Sequence, residues 1–361
     1  MRLRLERRAE APSALQFIAP VLATALTLAA GFVLFAALGK DPLDALKVFF
    51  LYPLKDAYGW NELLLKASPL MMIAMGLAVG YRANIWNIGA EGQYIAGAIA
   101  ASGIALAFDR SLDSTLLIPA LFLAGAAGGM AWAAVPAWLR VRFNANEILV
   151  SLMLVYVAEL AVSWLVHGPW RDPQGFNFPQ TRMFEEAALL PPLFEGSRLT
   201  HVIAIALVSL AAGHLLMQRS FLGFQLRVAG QAPAAARYAG FSASRAIWVG
   251  MLCGGAMAGV AGMAEVVGPT GQLTPKVGMG YGFTAIIVAF VGRLHAVGIF
   301  FASLLMALMV LGGEQSQQYL ALPSSVSKVF QGLLLFFLLG ADVITQYRIV
   351  RTPAAPAQAA P

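Results

Sequence analysis

Charged side chains are scarce in this sequence, and their scarcity excludes an ordinary soluble fold. Only 12% of the 361 residues are Asp, Glu, Lys or Arg, while 59% are hydrophobic. Soluble globular domains carry about 25% charged residues. Together with a mean hydropathy of +0.73, this composition predicts a chain that crosses a membrane several times.

Residues that carry covalent or metal chemistry are also few. Cys253 is the only cysteine, so no disulfide can form within the chain. The four histidines show no metal-binding spacing: His167, His201, His214 and His295. The sequence contains no GxxxxGK[ST] loop, no HExxH helix and no GxSxG turn. We therefore expect no catalytic residue, no metal site and no cofactor on this chain, so that any energy from a nucleotide must come from a partner.

Apolar segments recur along the whole chain, and a bilayer core requires about 20 apolar residues per helix. We interpret ten segments as membrane spans: 15–38, 62–80, 94–108, 116–139, 147–166, 199–217, 244–264, 281–292, 296–313 and 326–345. The segments at 94–108 and 281–292 are short and rich in glycine or preceded by it, which leaves half-helices or re-entrant segments as alternatives there. The predicted fold class is all-α, a polytopic membrane helical bundle.

The distribution of basic residues orients these spans. With the N-terminus inside, arginines accumulate in the cytoplasmic loops and every lysine falls on the outer side, as the positive-inside rule requires. Both termini are therefore expected in the cytoplasm, with a basic segment at 1–14, a transmembrane domain at 15–345 and a tail at 346–361. The tail is rich in Pro and Ala and is expected to be unstructured after Arg351. Because topology explains the basic charge, a nucleic-acid partner is not expected.

The most informative segment is a polar island at 222–241, within a cytosolic loop at 219–245 between the sixth and seventh spans. Pro233 suits the first position of a helix, and Gly240 suits the left-handed residue that ends one. A short helix is predicted where a bare connection needs only a few residues, so we expect a partner to dock on it. The candidate docking residues are Arg227, Gly230, Pro233, Ala235, Ala236, Arg237, Tyr238 and Gly240.

Two further polar clusters and one isolated carboxylate lie near membrane depth. The candidates for a translocation pathway are Asn84, Asn87, Glu91, Gln93, Asn146, Glu147 and Glu159. The first four equally suit an ordinary turn whose side chains cap helix ends, and Asn146 and Glu147 suit a helix N-terminus. Glu159 falls in the middle of a predicted span, where a carboxylate is costly and therefore a functional candidate, unless it is protonated or bonded to a neighbouring helix.

Two outer segments and a set of small residues complete the pattern. The loop at 265–282 is either a flexible gate or a plain connector, and the loop at 167–200 carries three aromatics that suit an external partner or the lipid interface. Those aromatics are Trp170, Phe176 and Phe178. GxxxG pairs at 76–80, 125–129 and 255–259 predict close helix packing.

Five motifs, in their order and spacing, give the chain a resemblance to permease subunits of bacterial ABC importers. They are NIWNIGAEGQ at 84–93, NEILVSLM at 146–153, GPWRDPQGFNFPQT at 168–181, GQAPAAARYAGF at 230–241 and GYGFTAIIVAFVG at 280–292. The chain most resembles the larger permease of nucleoside and purine systems that work with a BMP-like substrate-binding lipoprotein. Simple-sugar permeases of the ribose and galactose type share much of the pattern and remain an alternative.

The resemblance implies a multi-pass subunit of the bacterial inner membrane that carries a small neutral solute by alternating access. It implies that the helix in 230–241 is a coupling helix seated on an ABC ATPase with two nucleotide domains, which binds ATP and Mg. It also implies a second permease subunit, in a heterodimer surrounded by membrane lipid, and the external lipoprotein. Thr284 and Val155 depart from the residues common in relatives, in segments expected to face the pathway.

Two other classes of protein compete with this interpretation. An ion-coupled secondary transporter needs a relay of titratable groups in the membrane, and only Glu159 is clearly placed for one. A membrane-embedded enzyme needs a nucleophile, a base or metal ligands, and the sequence shows no such constellation.

Overall fold

The structure, a computed structural model, describes residues 2–7, 13–323 and 325–352. The expectation of an unstructured tail after Arg351 falls on residues outside the described part, except for Thr352, which ends a strand; part of the basic segment at 1–14 also lies outside it. Within the described residues the chain forms helices α1 (Ser13–Ala37), α2 (Pro42–Phe50), α3 (Ala57–Arg82), α4 (Ala90–Phe108), α5 (Ser114–Phe143), α6 (Glu147–His167), α7 (Val202–Arg219), α8 (Phe221–Gln231), α9 (Pro233–Tyr238), α10 (Ala243–Val267), α11 (Tyr281–Val291), α12 (Ala296–Leu320) and α13 (Val326–Gln346).

Each of the ten predicted spans falls on one of these helices. By length and apolar composition, six helices in the described part of the chain are able to cross a membrane: α3, α5, α6, α7, α10 and α12. The polytopic helical fold is therefore confirmed, whereas the count of ten stays a prediction. Helices α2 and α8 were not predicted.

The all-α expectation misses one antiparallel ribbon. Strand β1 (Arg2–Arg7) pairs with β2 (Tyr347–Thr352), so that Arg2 lies opposite Thr352. Strand β1 alternates Arg and Leu over residues 2–5, which is the period of a half-exposed strand, whereas β2 places Ile349 and Val350 next to each other. The pairing also places the two ends of the chain side by side.

Contacts divide the chain into two compact units, one formed by residues up to 52 with those from 312 onward, the other by residues 53–311. The first unit has an aromatic centre in which the rings of Phe49 and Phe330 stack with centroids 4.6 Å apart and Phe35 lies 5.6 Å from Phe330. In the second unit α10 is the central helix and packs against α3, α4 and α5.

Close packing of α5 on α10 depends on glycine, as the GxxxG pairs predict. A Cβ on Gly129 would collide with the carbonyl oxygen of Gly255, and a Cβ on Gly259 would collide with that of Gly125. With no side chain between them the two backbones touch, which is the arrangement that small residues permit in lipid.

Candidate functional site

The polar turn between α3 and α4 is held by bonds within itself. The amides of Asn87 and Gln93 exchange two hydrogen bonds, of 2.8 and 3.0 Å. The Oδ1 of Asn87 also accepts from the N–H of Gly89, and the hydroxyl of Tyr81 donates to the carbonyl of Asn87. Both amide side chains are buried, so this part of the turn is a rigid polar frame.

Asn84 occupies the start of the same turn and differs from the other three predicted residues. It is exposed and has a positive φ of 58°, a conformation that Asn adopts more readily than most residues. Its Oδ1 accepts from the indole N–H of Trp86, whose ring stacks on Phe290 of α11. The turn is thereby fixed to α11 as well as to α3.

Glu91 joins the first turns of α4 and α11. Its two carboxylate oxygens accept from the backbone N–H groups of Gly280 and Gly282, at 2.8 and 2.6 Å, and the residue is 1% exposed. These donors belong to the N-terminus of α11, where N–H groups have no partner inside the helix. Gly282 is required there, because a Cβ would collide with the backbone of Glu91.

Helix α11 has the length of a half-helix. Its 11 residues extend about 16 Å, roughly half of a bilayer core. The segment that precedes it returns from the far end of α10 to reach Glu91, and Gly280 has a φ of 86° at the point where the helix begins. The alternative of a half-helix at 281–292 therefore agrees with the structure, and α4 begins beside it.

Glu91→Gln is expected to lower the free energy of unfolding by about 1–3 kcal/mol, because an amide retains one acceptor and turns an N–H donor towards the other backbone donor. The measurement is the denaturation midpoint of the purified chain in detergent. Glu159→Gln is the matched control, since the Glu159 carboxyl accepts no hydrogen bond from the described residues; its midpoint should stay the same or rise slightly, because only a like charge near Glu91 is lost. Equal midpoints for both variants would show that the Glu91 bonds contribute nothing.

The polar pair at the start of α6 has structural partners. The Oδ1 of Asn146 accepts from the N–H groups of Ile148 and Leu149, at 2.9 and 3.3 Å, and so caps the helix. Glu147 is buried and lies 3.4 Å from the guanidinium of Arg140. The capping alternative thus accounts for the positions of both side chains.

Glu159 and Thr284 belong to two different helices, and each lies near Glu91. Glu159 is exposed on the surface of α6, near enough for its charge to act on that of Glu91. Thr284 is half-buried and lies in the first turn of α11, next to the backbone N–H groups that donate hydrogen bonds to the Glu91 carboxylate. Val155, in contrast, is 1% exposed and packs against neighbouring helices, so this side chain does not reach the surface of the described chain.

Helix α9 forms where the polar island predicts it. Pro233 is its first residue and Gly240, with a φ of 77°, follows its end. Ala236 is 3% exposed and faces inward, whereas Tyr238 is 97% exposed. Of the eight predicted docking residues, five lie on the exposed surface of this segment: Pro233, Ala235, Arg237, Tyr238 and Gly240.

The other predicted docking residues are less accessible. Arg227 and Gly230 belong to α8, which the sequence analysis merged with the α9 segment, and both are half-buried. A Cβ on Gly230 would collide with the carbonyl oxygen of Arg82, at the end of α3. Gly230 is therefore a packing residue through which α8 rests on α3.

Three aromatic residues beside α9 were missed. The rings of Phe221, Phe224 and Phe241 lie 6.0–6.3 Å apart, and Phe221 and Phe224 are exposed. The signal was present in the sequence, because phenylalanines flank an otherwise polar island. They extend the exposed surface around Tyr238 with apolar area.

The loop at 167–200 is hydrogen-bonded to the loop that leads into α11. Thr181 exchanges hydrogen bonds with the backbone of Leu273, and Arg182 holds Asp109 through two bonds of 2.8 Å. Burial raises the pKa of Asp109, but the hydrogen bonds from Arg182 and from the Glu185 backbone outweigh it and hold that pKa below its usual range. Asp109 therefore stays ionised in the pair.

The three aromatics of the loop at 167–200 have different surroundings. Trp170 packs on α4, where a Cβ at Gly103 would lie 3.2 Å from its ring. Phe176 is 95% exposed and Phe178 is 65% exposed. The two phenylalanines, and not Trp170, form the accessible part of the predicted platform.

Comparisons with known proteins agree with this architecture. The family described as "Branched-chain amino acid transport system / permease component" matches residues 60–339. The chain is 36% identical to the glucose ABC transporter permease protein TsgB13 of Haloferax volcanii, over 96% of this chain and 93% of that protein. It is 29% identical to the guanosine ABC transporter permease protein NupP of Bacillus subtilis, over 91% of this chain and 94% of that protein. It is 26% identical to the nucleoside ABC transporter permease protein NupB of Lactococcus lactis, over 89% and 90%.

Proposed function

Because the chain belongs to the permease component family of branched-chain amino acid transport systems, we propose that it is the membrane subunit of an ABC importer for a nucleoside or a simple sugar. Members of this family are transport subunits rather than enzymes, so the chain supplies the passage and a partner supplies the energy. The observation that carries the proposal is α9, a short exposed helix between two long apolar helices.

The proposed complex contains three other components. An ABC ATPase with two nucleotide domains binds ATP and Mg and docks on α9, while this chain holds no cofactor of its own. A second permease subunit completes a heterodimer, and a BMP-like lipoprotein delivers the solute to the outer face. The exposed Phe176 and Phe178 suit contact with that protein.

The proposed topology has ten spans in the bacterial inner membrane, with both termini in the cytoplasm. Two observations support it. The arginines accumulate in alternate loops, and the pairing of β1 with β2 brings the two ends of the chain together, which requires an even number of crossings. Placing these ends in the cytoplasm also places α9 there.

The connections of α9 suggest how motion is transmitted. Only four residues separate α9 from α10, the central helix of its unit, and α8 rests on the end of α3 through Gly230. A displacement of α9 by the ATPase therefore acts directly on two helices of the bundle. Alternating access follows if those helices tilt between two arrangements.

The proposed pathway passes Glu159 on α6 and the first turn of α11, which both lie near Glu91. A carboxylate on a helix surface at mid-membrane is costly in lipid, so a water-filled pathway or a partner subunit must cover Glu159. Nucleosides and sugars are both neutral and rich in hydroxyl groups that donate to a carboxylate. The rigid frame around Asn87, Glu91 and Gln93 holds the first turn of α11 in place.

A nucleoside and a simple sugar are each favoured by a different observation. The five motifs, taken together, most resemble those of nucleoside systems, and two relatives are named for guanosine and nucleosides. The relative with 36% identity is named for glucose. Uptake assays must therefore include both solutes.

Glu159→Gln is expected to lower uptake by about tenfold or more, because a hydrogen bond from a solute hydroxyl to a charged acceptor contributes about 1.5–3 kcal/mol. The measurement is the initial rate of labelled guanosine and glucose uptake into proteoliposomes that contain the partner subunits. Glu159→Asp, which keeps the charge, should retain more activity than the Gln variant. Unchanged uptake by the Gln variant would remove Glu159 from the pathway.

The same assay tests the class of transporter. Uptake is expected to require ATP hydrolysis and to resist an uncoupler. Uptake that persists without ATP hydrolysis and collapses with the uncoupler would identify an ion-coupled secondary transporter instead.

A further inference from the structure

Four basic side chains from four elements converge at one end of the bundle: Arg82, His214, Arg227 and His295. Arg82, the last residue of α3, donates from Nη2 to the carbonyl of Leu294 at 2.6 Å, and the charge of Arg227 on α8 acts on it. The rings of His214 on α7 and His295, between α11 and α12, have centroids 5.3 Å apart. We refer to these four residues as the basic cluster.

The basic cluster has no acidic partner within the described chain. No ion pair there joins any of its four members to an Asp or Glu, and the Nε of Arg227 is buried without an acceptor. Burial, followed by the nearby charges of His214 and Arg82, lowers the pKa of His295. Arg82 and Arg227 supply two positive charges, and the end of α3 offsets only part of them, since a helix C-terminus carries only about half a negative unit.

We propose that the basic cluster binds the phosphate group of an anionic phospholipid. A phosphate offers several acceptor oxygens to guanidinium groups, which bind it with charge-assisted bonds, and it supplies the acceptor that Arg227 Nε lacks. All four side chains are half-buried, so a ligand has access from the surface.

The position of His214 favours a lipid as the source of the phosphate. His214 lies five residues before the end of α7, and the apolar side chains of Leu215 and Val208 on the same helix are exposed, as expected for a helix surface in contact with lipid. Basic pockets between membrane helices bind anionic head groups in the cytoplasmic leaflet. In the proposed topology the basic cluster lies at that leaflet, where a bound phosphate would connect α3, α7 and α8.

The test is thermal unfolding of the purified full chain in an uncharged detergent, titrated with phosphatidylglycerol. Parallel titrations use glycerol 3-phosphate, which has the phosphate without acyl chains, and diacylglycerol, which has acyl chains without the phosphate. Phosphatidylglycerol should raise the unfolding midpoint, and Arg227→Gln and His214→Gln should each weaken the apparent affinity by about tenfold. Arg219→Gln removes the same charge from the exposed end of α7 and should change the apparent affinity for phosphatidylglycerol by less than about twofold.

Each outcome has a defined meaning. Equal weakening in all three variants, or an equal response to diacylglycerol, overturns the proposal, because the effect would then be general charge attraction or acyl-chain binding. An equal response to glycerol 3-phosphate supports the phosphate site and assigns it to a soluble ligand. If neither phosphate compound raises the unfolding midpoint and Arg227→Gln no longer co-purifies with the ATPase, the proposal is wrong. The basic cluster would then bind a carboxylate of a partner protein. If Arg227→Gln fails to fold, His214→Gln alone decides.

Discussion

Ala235→Arg is expected to reduce ATP-driven uptake by about 100-fold or more while the chain still inserts and folds. Ala235 is exposed on α9, so the longer side chain meets no neighbour within the chain. In the proposed complex the Arg side chain enters the contact with the ATPase, where its charge must be desolvated without a matching partner. An unmatched charge at an interface costs several kcal/mol. The measurements are uptake into proteoliposomes and co-purification of the ATPase.

The choice of Ala235 over its neighbour follows from burial. Ala236 has the same small side chain but is 3% exposed, so Ala236→Arg would disrupt the packing of α9 itself and would not isolate docking. Ala235→Ser, which stays small, is the matched control and should keep normal uptake. If the ATPase co-purifies with the Arg variant and uptake is normal, α9 is not the docking helix.

Gly259→Ala is expected to lower the free energy of unfolding by about 3 kcal/mol or more and to reduce the yield of folded protein sharply. The added Cβ would collide with the carbonyl oxygen of Gly125, and backbone, unlike a side chain, has no alternative rotamer. Overpacking a well-packed interior costs about 1–3 kcal/mol even where side chains are able to shift. Helices α5 and α10 must separate, and each loses contacts along its length.

The control for this substitution is Gly332→Ala on α13. A Cβ at Gly332 meets nothing within 4 Å, and Ala favours a helix over Gly by about 1 kcal/mol. The midpoint of the control should therefore stay the same or rise. Equal midpoints for Gly259→Ala and the unaltered chain would show that the two backbones are not in contact.

The sequence predicted the helices well because their signals are local. Apolar length places each of the ten segments on a helix, and the caps at Asn146 and around α9 depend on residues within a few positions of one another. The sequence did not show that Arg227 and Gly230 lie on a helix separate from α9, because no local signal marks the boundary. The break between α8 and α9 is a single residue, Ala232, and its helix propensity does not differ from that of the neighbouring alanines.

The parts that the sequence did not reveal are long-range. Strands β1 and β2 lie more than 300 residues apart in the sequence, and the short alternation in β1 alone does not identify a partner. Glu91 meets Gly280 and Gly282 across 189 and 191 residues, and the basic cluster assembles from four separate elements. Burial of Ala236 and exposure of Tyr238 likewise depend on how α9 rests on the bundle.

The side of the membrane on which α9 lies tests the account most directly. Tyr238→Cys, in a Cys253→Ala background that removes the native thiol, places a single reactive group at a position that is 97% exposed. A membrane-impermeant maleimide should label it in inside-out vesicles and leave it unlabelled in right-side-out vesicles. Labelling only from the outer side would contradict the account, because a cytosolic ATPase has no access to a helix that faces outward.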